Sequence, residues 1–232
     1  LFHFVEGETR TNMKIIDPDN HTNTDINEPG VTVSEEILEK LLEELLAKVT
    51  KEDIVVISGS MPKGSPKDTY YTWTKAFREK GAKVILDADG DLLKAGLKAS
   101  PYLIKPNNHE LGALTGRALE TPEEIAETAA ELMKEYGIGK VVVSMGGDGA
   151  VYVTKDKTIY AEGLKVPVGS TVGAGDSVVA ALAVSEEEGK TLEETVRLSM
   201  AVGAANVMCS GTQAAEYEVV ETLLPKVVFR TI

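Results

Sequence analysis

Short apolar runs of strand length alternate with amphipathic patterns of helix length along most of this chain, and no other feature limits its fold as much. Each run is apolar or aromatic throughout, which is typical of strands covered on both faces of a sheet. The runs lie at 54–57, 84–86, 103–104, 141–143 and 150–153. Helical patterns at 34–45, 66–79 and 122–136 separate some of them, and the chain is largely helical after Thr171. The alternation predicts an α/β fold with a mostly parallel, doubly wound sheet.

One segment departs from this pattern. Residues 12–17 mix polar and apolar side chains, residues 18–20 have turn composition, and residues 21–27 return to an extended pattern. This arrangement predicts a β-hairpin, the only candidate for a separate subdomain.

Charge and composition exclude several classes of protein. The chain has 24 basic and 37 acidic side chains among its 232 residues, a formal charge of −13, which argues against a general nucleic-acid binder. No apolar run approaches the ~18 residues of a membrane span. The single cysteine, Cys209, cannot form an internal disulfide, so the sequence predicts a cytoplasmic protein. Such an acidic chain must bind anions with local devices, such as helix N-termini and a few placed cations.

Polar and glycine-rich segments follow four predicted strand ends, at 58–62, 105–107, 144–149 and 170–177, the last of them after the run at 166–169. Each of them alone can be an ordinary turn that needs Gly or Pro for its geometry. Ligands in open α/β sheets bind beyond the carboxyl ends of the strands, however, and four such segments in one domain favour a shared binding site.

The segment at 173–176 carries the most chemistry. Gly173, Ala174 and Gly175 stand at the start of a predicted helix, where backbone N–H groups and the helix dipole favour an anion. Asp176 has two interpretations, either a carboxylate that complements the helix dipole or a general base beside an anion hole. No P-loop and no protein-kinase motif set occurs in the chain, so a phosphotransferase here needs another scaffold.

The octapeptide at 170–177 resembles the signature of the ribokinase-like (PfkB) carbohydrate kinases. Further landmarks of that family occur in the right order at 7–12, 58–62, 105–110 and 144–149, and residues 24–30 resemble its hexose-phosphate branch. The resemblance spans essentially the whole chain. It implies a three-layer sandwich with a small β lid, in which residues 1–30 belong to the lid and its connection and residues 31–232 form the nucleotide-binding and catalytic core.

The resemblance also implies a reaction and its residues. The expected reaction is ATP-dependent phosphorylation of a sugar phosphate, with Asp176 as the base and Gly173, Ala174 and Gly175 as anion-hole amides. Arg10, Asn12, Gly59 and Ser60 would bind the sugar phosphate. Glu110 would orient Mg²⁺ through water. The nucleotide would contact Lys105, Asn107, Ser144, Gly146, Gly147, Asp148, Gly149, Gly175 and Gly203. Some family members bind a monovalent cation such as K⁺ near the carbonyls that correspond to Ser170, Val172, Cys209 and Gly211, and whether this chain does so stays open.

Two departures and several alternatives accompany this interpretation. The N-terminal sugar-binding motif of the family is missing, so we expect the first strands of the sheet and part of the lid to be missing too. Residues 186–188 are unusually acidic for a helix end and are interpreted as a solvated face.

Fructose 1-phosphate is the favoured substrate and tagatose 6-phosphate the alternative. A non-catalytic nucleotide-binding or regulatory protein is the alternative of another class. No nucleic-acid or membrane partner is expected, whereas a homodimer formed through the lid is.

Overall fold

A computed structural model describes residues 2–17 and 22–232, and within them one seven-stranded sheet forms the centre of the molecule. Its strands follow chain order: β3 Ile54–Ser58, β4 Lys83–Asp87, β5 Leu103–Ile104, β6 Lys140–Ser144, β7 Gly149–Val153, β8 Thr158–Glu162 and β9 Phe229–Thr231. The sheet is parallel from β3 to β6 and antiparallel from β6 to β9. A parallel crossover needs about a dozen residues, and the short link between β6 and β7 allows only an antiparallel pair.

Helices cover both faces of this sheet. Helices α1 to α5 span Glu35–Leu46, Thr69–Glu79, Gly90–Leu97, Asn108–Thr115 and Pro122–Tyr136, and helices α6 to α8 span Ala174–Glu187, Leu192–Val207 and Tyr217–Leu223. Short 3-10 turns lie at Gly146–Asp148 and Leu224–Lys226. Val84 and Leu86 pack into one hydrophobic cluster, and Ile85 between them packs into the other. This alternation confirms the predicted α/β sandwich of three layers, because successive side chains of a strand point to opposite faces.

The predicted hairpin is present as a separate two-stranded antiparallel sheet. Strands β1, Asn12–Asp17, and β2, Thr22–Asn27, pair with Asn12 opposite Asn27 and Met13 opposite Ile26. The predicted turn at 18–20 and the predicted strand start at His21 lie outside the described residues.

Two helix predictions had different outcomes. The helix at Pro122–Tyr136 is confirmed, with Thr121 and Glu124 forming a reciprocal capping box. The predicted start of α2 at Pro66 is wrong by three residues. The Pro66 carbonyl accepts hydrogen bonds from the backbone N–H and the hydroxyl of Thr69, which makes a turn before the helix begins.

No helix in the described part of the chain is long and apolar enough to cross a membrane.

The acidic end of α6 is not a purely solvated face, as the sequence had suggested. The side chain of Glu186 is only 6% exposed and forms ion pairs with Lys83 and Lys140. It also accepts a hydrogen bond from the hydroxyl of Tyr102 at 2.6 Å. Burial pushes the pKa of Glu186 up, but these hydrogen bonds outweigh it, so that the pKa lies below its ordinary value. The interaction arises because the end of α6 lies near Lys83 and Lys140, the first residues of β4 and β6, a tertiary contact that the local pattern does not reveal. Glu187 and Glu188 are exposed, as predicted.

Candidate functional site

The site is organised around two residues at the carboxyl ends of adjacent strands. Asp87 ends β4 and Lys105 follows β5, and because β4 and β5 are parallel neighbours their side chains meet. The Nζ of Lys105 lies 3.2 Å from Oδ1 of Asp87, and the two side chains are 8% and 18% exposed. The sequence analysis singled out Lys105 but missed Asp87. The sequence contains a pattern that could have identified Asp87, because it is the polar residue that ends a buried apolar run.

The first turn of α6 lies against this ion pair. Gly173 precedes the helix with a left-handed backbone (φ +80°), a conformation that favours glycine. A Cβ placed on Gly175 would lie 3.6 Å from Nζ of Lys105, so the lysine ammonium stands at the helix N-terminus. Ala174 is the first residue of the helix, and its N–H makes a long hydrogen bond to the carbonyl of Thr171 at 3.4 Å. The predicted anion-binding turn therefore has a buried cation beside it.

Asp176 lies in the same first turn of α6. Its side chain is exposed, and it makes no hydrogen bond or ion pair to any other described residue. The exposed oxygens are free to accept a proton from a bound hydroxyl group.

The segment that follows β5 and the end of β6 lie next to each other at the same carboxyl edge of the sheet. Asn107 pairs with Ser144 through an isolated parallel bridge, and the N–H of Ser144 donates to the carbonyl of Pro106. Asn107 also caps α4 in a reciprocal capping box with Glu110. One carboxylate oxygen of Glu110 accepts the Asn107 N–H at 2.9 Å, so part of its role is structural.

The predicted nucleotide turn at 146–149 forms a short 3-10 turn between β6 and β7. Gly146 and Gly149 have positive φ angles, +58° and +113°. A Cβ on Gly149 would lie 2.0 Å from the carbonyl oxygen of Ala161, so only glycine fits between β7 and β8 there. The hydroxyl of Tyr160 donates to the carbonyl of Asp148 at 2.8 Å and fixes the turn. Gly147 is exposed at its outer side.

Two of the predicted sugar-phosphate residues meet although they are 50 positions apart. The guanidinium of Arg10 donates to the hydroxyl of Ser60 at 3.1 Å. Gly59, with φ +90°, donates its N–H to the carbonyl of Asp87 and accepts from the hydroxyl of Tyr70 at 2.9 Å. Burial raises the pKa of Tyr70, and the carboxylates of Asp87 and Asp89 add to the shift. Tyr70, which the sequence analysis did not connect with the site, keeps its proton and anchors this turn.

Two other predicted residues are not joined to this cluster. Asn12 begins β1, is exposed, and pairs with Asn27 in the hairpin. Gly203 faces α6, where a Cβ would lie 2.9 Å from a methyl group of Val178, so its observed contact is helix packing. No group of three acidic, His or Cys side chains within the described ranges is arranged to hold a metal ion.

Asn206 is a further residue that sequence reasoning missed. Its side chain is 4% exposed and donates through Nδ2 to the carbonyl of Gln213. Its Oδ1 is buried without a hydrogen-bond partner in the described part of the chain, and it lies 3.8 Å from the position of a Cβ on Gly173. It lay in an apolar helical pattern, which contained no signal of this contact.

The fold and the site together define a class. A three-layer α/β sandwich with a glycine-rich helix start, a buried lysine and an exposed aspartate at the strand ends is that of a ribokinase-like phosphotransferase. The chain belongs to the pfkB family of carbohydrate kinases, which it matches over residues 2–218.

Comparison with individual proteins makes the family similarity more specific. The chain is 37% identical over 227 residues to a 1-phosphofructokinase from Haemophilus influenzae, covering 97% of this chain and 72% of that protein. The structure of phosphofructokinase-2 from Escherichia coli in complex with potassium superimposes with a TM-score of 0.86 at 32% identity, covering 94% of this chain and 71% of that one. The tetrameric inhibited form of the same E. coli enzyme gives a TM-score of 0.83 at 31% identity, covering 94% and 70%.

Proposed function

We propose that this chain catalyses the ATP-dependent phosphorylation of fructose 1-phosphate to fructose 1,6-bisphosphate. The observation that carries the proposal is the placement of Lys105 between Asp87 and the first turn of α6, with Asp176 exposed in that same turn. The 37% identity to 1-phosphofructokinases supports fructose 1-phosphate over tagatose 6-phosphate.

In the proposed reaction Asp176 accepts the proton of the C6 hydroxyl group. The hydroxyl oxygen forms a bond to the γ-phosphorus of ATP as the bond to the β,γ-bridging oxygen breaks, and ADP leaves with that electron pair. Positioning and charge stabilisation supply most of the rate enhancement in such transfers. A general base contributes about 10²–10⁴-fold.

The amides of Gly173, Ala174 and Gly175 stabilise the negative charge of the transferred phosphoryl group, together with the ammonium of Lys105. Asp87 keeps this ammonium in place and reduces the cost of burying it. Gly175 suits this position because a side chain there would fill the space beside Nζ. The chain thus supplies a preformed anion site.

The nucleotide would lie along the edge formed by Asn107, Ser144 and the 146–149 turn, with Gly203 near the adenine. Mg²⁺ usually takes one or two protein carboxylates and completes its shell with water and phosphate oxygens. The described residues fit that mode, since they offer single carboxylates such as Glu110 at the site and no dedicated cluster. When bound, Mg²⁺ would neutralise charge on the phosphates of ATP.

A monovalent cation such as K⁺ is part of the proposal. The N–H groups of Gly169 and Ser170 donate to the carbonyl of Val207, and a Cβ on Gly169 would lie 2.5 Å from the Cys209 carbonyl oxygen. The two segments that contain the Ser170, Val172, Cys209 and Gly211 carbonyls are therefore adjacent. We expect higher turnover in potassium chloride than in choline chloride at equal ionic strength.

The phosphate already present on the sugar would bind Arg10 and Ser60, with Gly59 and Asn12 nearby. A bidentate guanidinium suits a phosphate that is held rather than transferred. Residues 1–30 would form the lid over this sugar site and residues 31–232 the catalytic core.

A chain that uses ATP and has only one free cysteine suits the cytoplasm.

The hairpin supports a homodimer. Met13, Ile15 and Ile26 are each more than half exposed and lie on one face of the β1–β2 sheet, where Met13 and Ile26 are direct partners. Exposed apolar sheet faces of this kind are usually covered by a partner. We propose that a second copy of this chain covers the face.

The test is a coupled assay of ADP release with MgATP and either fructose 1-phosphate or tagatose 6-phosphate. We expect turnover on fructose 1-phosphate to exceed that on tagatose 6-phosphate. Asp176→Asn should lower kcat about 10²–10⁴-fold while MgATP binding, measured by calorimetry, is retained. Asp156→Asn, an exposed aspartate outside the site, is the matched control and should keep wild-type turnover. MgATP binding without transfer to either sugar phosphate would support the non-catalytic alternative.

A further inference from the structure

The turn that follows Ser60 holds a lysine in a defined place. The N–H and the hydroxyl of Ser65 both donate to the carbonyl of Pro62, at 3.2 and 2.8 Å, which closes a tight turn with Lys63 at its second position. Gly64 follows with φ +91°, and a Cβ there would lie 2.8 Å from the methyl group of Thr32. The backbone of Lys63 is therefore fixed although its side chain is exposed.

This turn lies beside the segment that supports Arg10. The carbonyl of Lys63 accepts the N–H of Val33 at 2.9 Å, and Lys63 forms a parallel bridge with Thr32. Two residues before Thr32, a Cβ on Gly30 would lie 3.4 Å from Cδ of Arg10. Lys63 is also three residues from Ser60, so the Cα atoms of these two residues are at most about 11 Å apart. The segments that carry Lys63 and Arg10 are thus both close to Ser60.

Neither cation has a carboxylate partner among the residues that the structure describes. Arg10 donates to the hydroxyl of Ser60, and no carboxylate in the ranges 2–17 and 22–232 forms an ion pair with Arg10 or Lys63. Glu28, which lies two residues before Gly30, accepts the backbone N–H of Thr11 at 2.7 Å. In a chain with a formal charge of −13, two unpaired cations on adjacent backbone segments indicate an anion site.

We propose that Lys63 is a second cationic contact for the phosphate that the sugar already carries, and that it determines specificity for phosphomonoesters over neutral sugars. The inference rests on the proposed function and extends it. A dianionic phosphate can accept a hydrogen bond from the Lys63 ammonium while Arg10 and Ser60 contact its other oxygens. A charge-assisted contact of this kind corresponds to about a tenfold change in affinity.

The test compares Lys63→Ala and Lys63→Arg with Lys67→Ala, a matched control that removes an exposed lysine from the same segment. We expect Lys63→Ala to raise KM for fructose 1-phosphate about tenfold and to leave kcat and KM for ATP unchanged. Lys63→Arg should restore most of the affinity, and Lys67→Ala should match the wild type. A Lys63→Ala variant whose KM stays within twofold of the wild type, or rises no more than that of Lys67→Ala, would overturn the proposal.

Calorimetric titration with fructose 1-phosphate separates this inference from the reaction itself. Wild-type protein that binds the sugar phosphate without phosphorylating it would contradict the proposed reaction, and the ratio of Kd between Lys63→Ala and wild type would still decide the role of Lys63. Wild-type protein that binds neither fructose 1-phosphate nor inorganic phosphate would overturn both.

Discussion

Lys105 forms an ion pair with Asp87 across two adjacent parallel strands, with 3.2 Å between Nζ and Oδ1, and the same ammonium stands beside Gly175 at the start of α6. One buried cation thus connects the sheet with the helix that carries Asp176. Because the lysine is nearly inaccessible to water, its charge acts on a neighbouring anion with little screening.

Asp87→Asn is expected to destabilise the fold. It would leave the ammonium of Lys105, 8% exposed, without its counter-ion. Breaking a buried pair in this way costs about 3 kcal/mol of the free energy of unfolding. Urea unfolding measures the loss, and the exposed Asp156→Asn serves as the control, with a change within about 0.5 kcal/mol. Equal stability of the two variants would show that the ion pair contributes nothing net.

Alanine at two glycines of the anion-binding turn should change stability in opposite directions. Gly173 has φ +80°, so Gly173→Ala should cost about 1–2 kcal/mol. Gly175 lies inside α6, where alanine is favoured by about 0.5–1 kcal/mol. Its new methyl group would lie 3.6 Å from Nζ of Lys105 and would occupy space proposed for phosphate. Gly175→Ala should therefore keep or raise Tm and still lower turnover, and unchanged turnover would remove Gly175 from the proposed anion hole.

Glu186 and Glu187 offer a matched pair at the other end of α6. Glu186→Gln weakens contacts with Lys83, Lys140 and Tyr102 and should lower the free energy of unfolding by about 1–3 kcal/mol. Glu187 is exposed, and Glu187→Gln should change the free energy of unfolding by less than about 0.5 kcal/mol. Chemical denaturation of both variants at pH 7 is the measurement. A larger effect at Glu187 would contradict the assigned role of Glu186.

The contribution of Glu186 should depend on pH in a defined direction. Its pKa lies below the ordinary value of 4.5, so the ionised form is favoured by folding. The stabilisation is complete above that ordinary value and is lost as the pH falls through the folded pKa. The stability difference between wild type and Glu186→Gln should stay constant from pH 7 to about 5.5 and narrow below about 4.5. A difference that grows on acidification would show that the lysines do not hold the carboxylate ionised.

The proposed dimer makes a prediction about the hairpin. Ile26→Lys would place a charge in the exposed apolar face, opposite Met13, and should shift the protein from dimer to monomer. Asn27→Lys adds the same charge at the adjacent exposed position, on the other face of the sheet, and should leave assembly unchanged. Sedimentation velocity distinguishes the two variants. A wild-type protein that sediments only as a monomer would contradict the dimer.

Several elements followed directly from local sequence. The helix at Pro122–Tyr136 has a capping box and a regular amphipathic pattern, and the run at 84–86 is short and apolar throughout. Both signals involve residues that are close in the chain, so no tertiary information was needed. The glycine-rich segment at 173–176 was similarly recognisable, because a helix start with positive-φ glycine is a local requirement.

The contacts that build the site were decided by the tertiary structure. Asp87 and Lys105 are separated by 18 positions, and Arg10 and Ser60 by 50, so only the pairing of strands and the path of the connecting segments bring them together. For Glu186 the local pattern indicated a solvated face, but the end of α6 lies near the lysines that begin β4 and β6, which places Glu186 between them. Local sequence determines which residues can form a helix, a strand or a turn. The surroundings of a charged side chain depend on packing between distant elements, and therefore only the folded chain decides them.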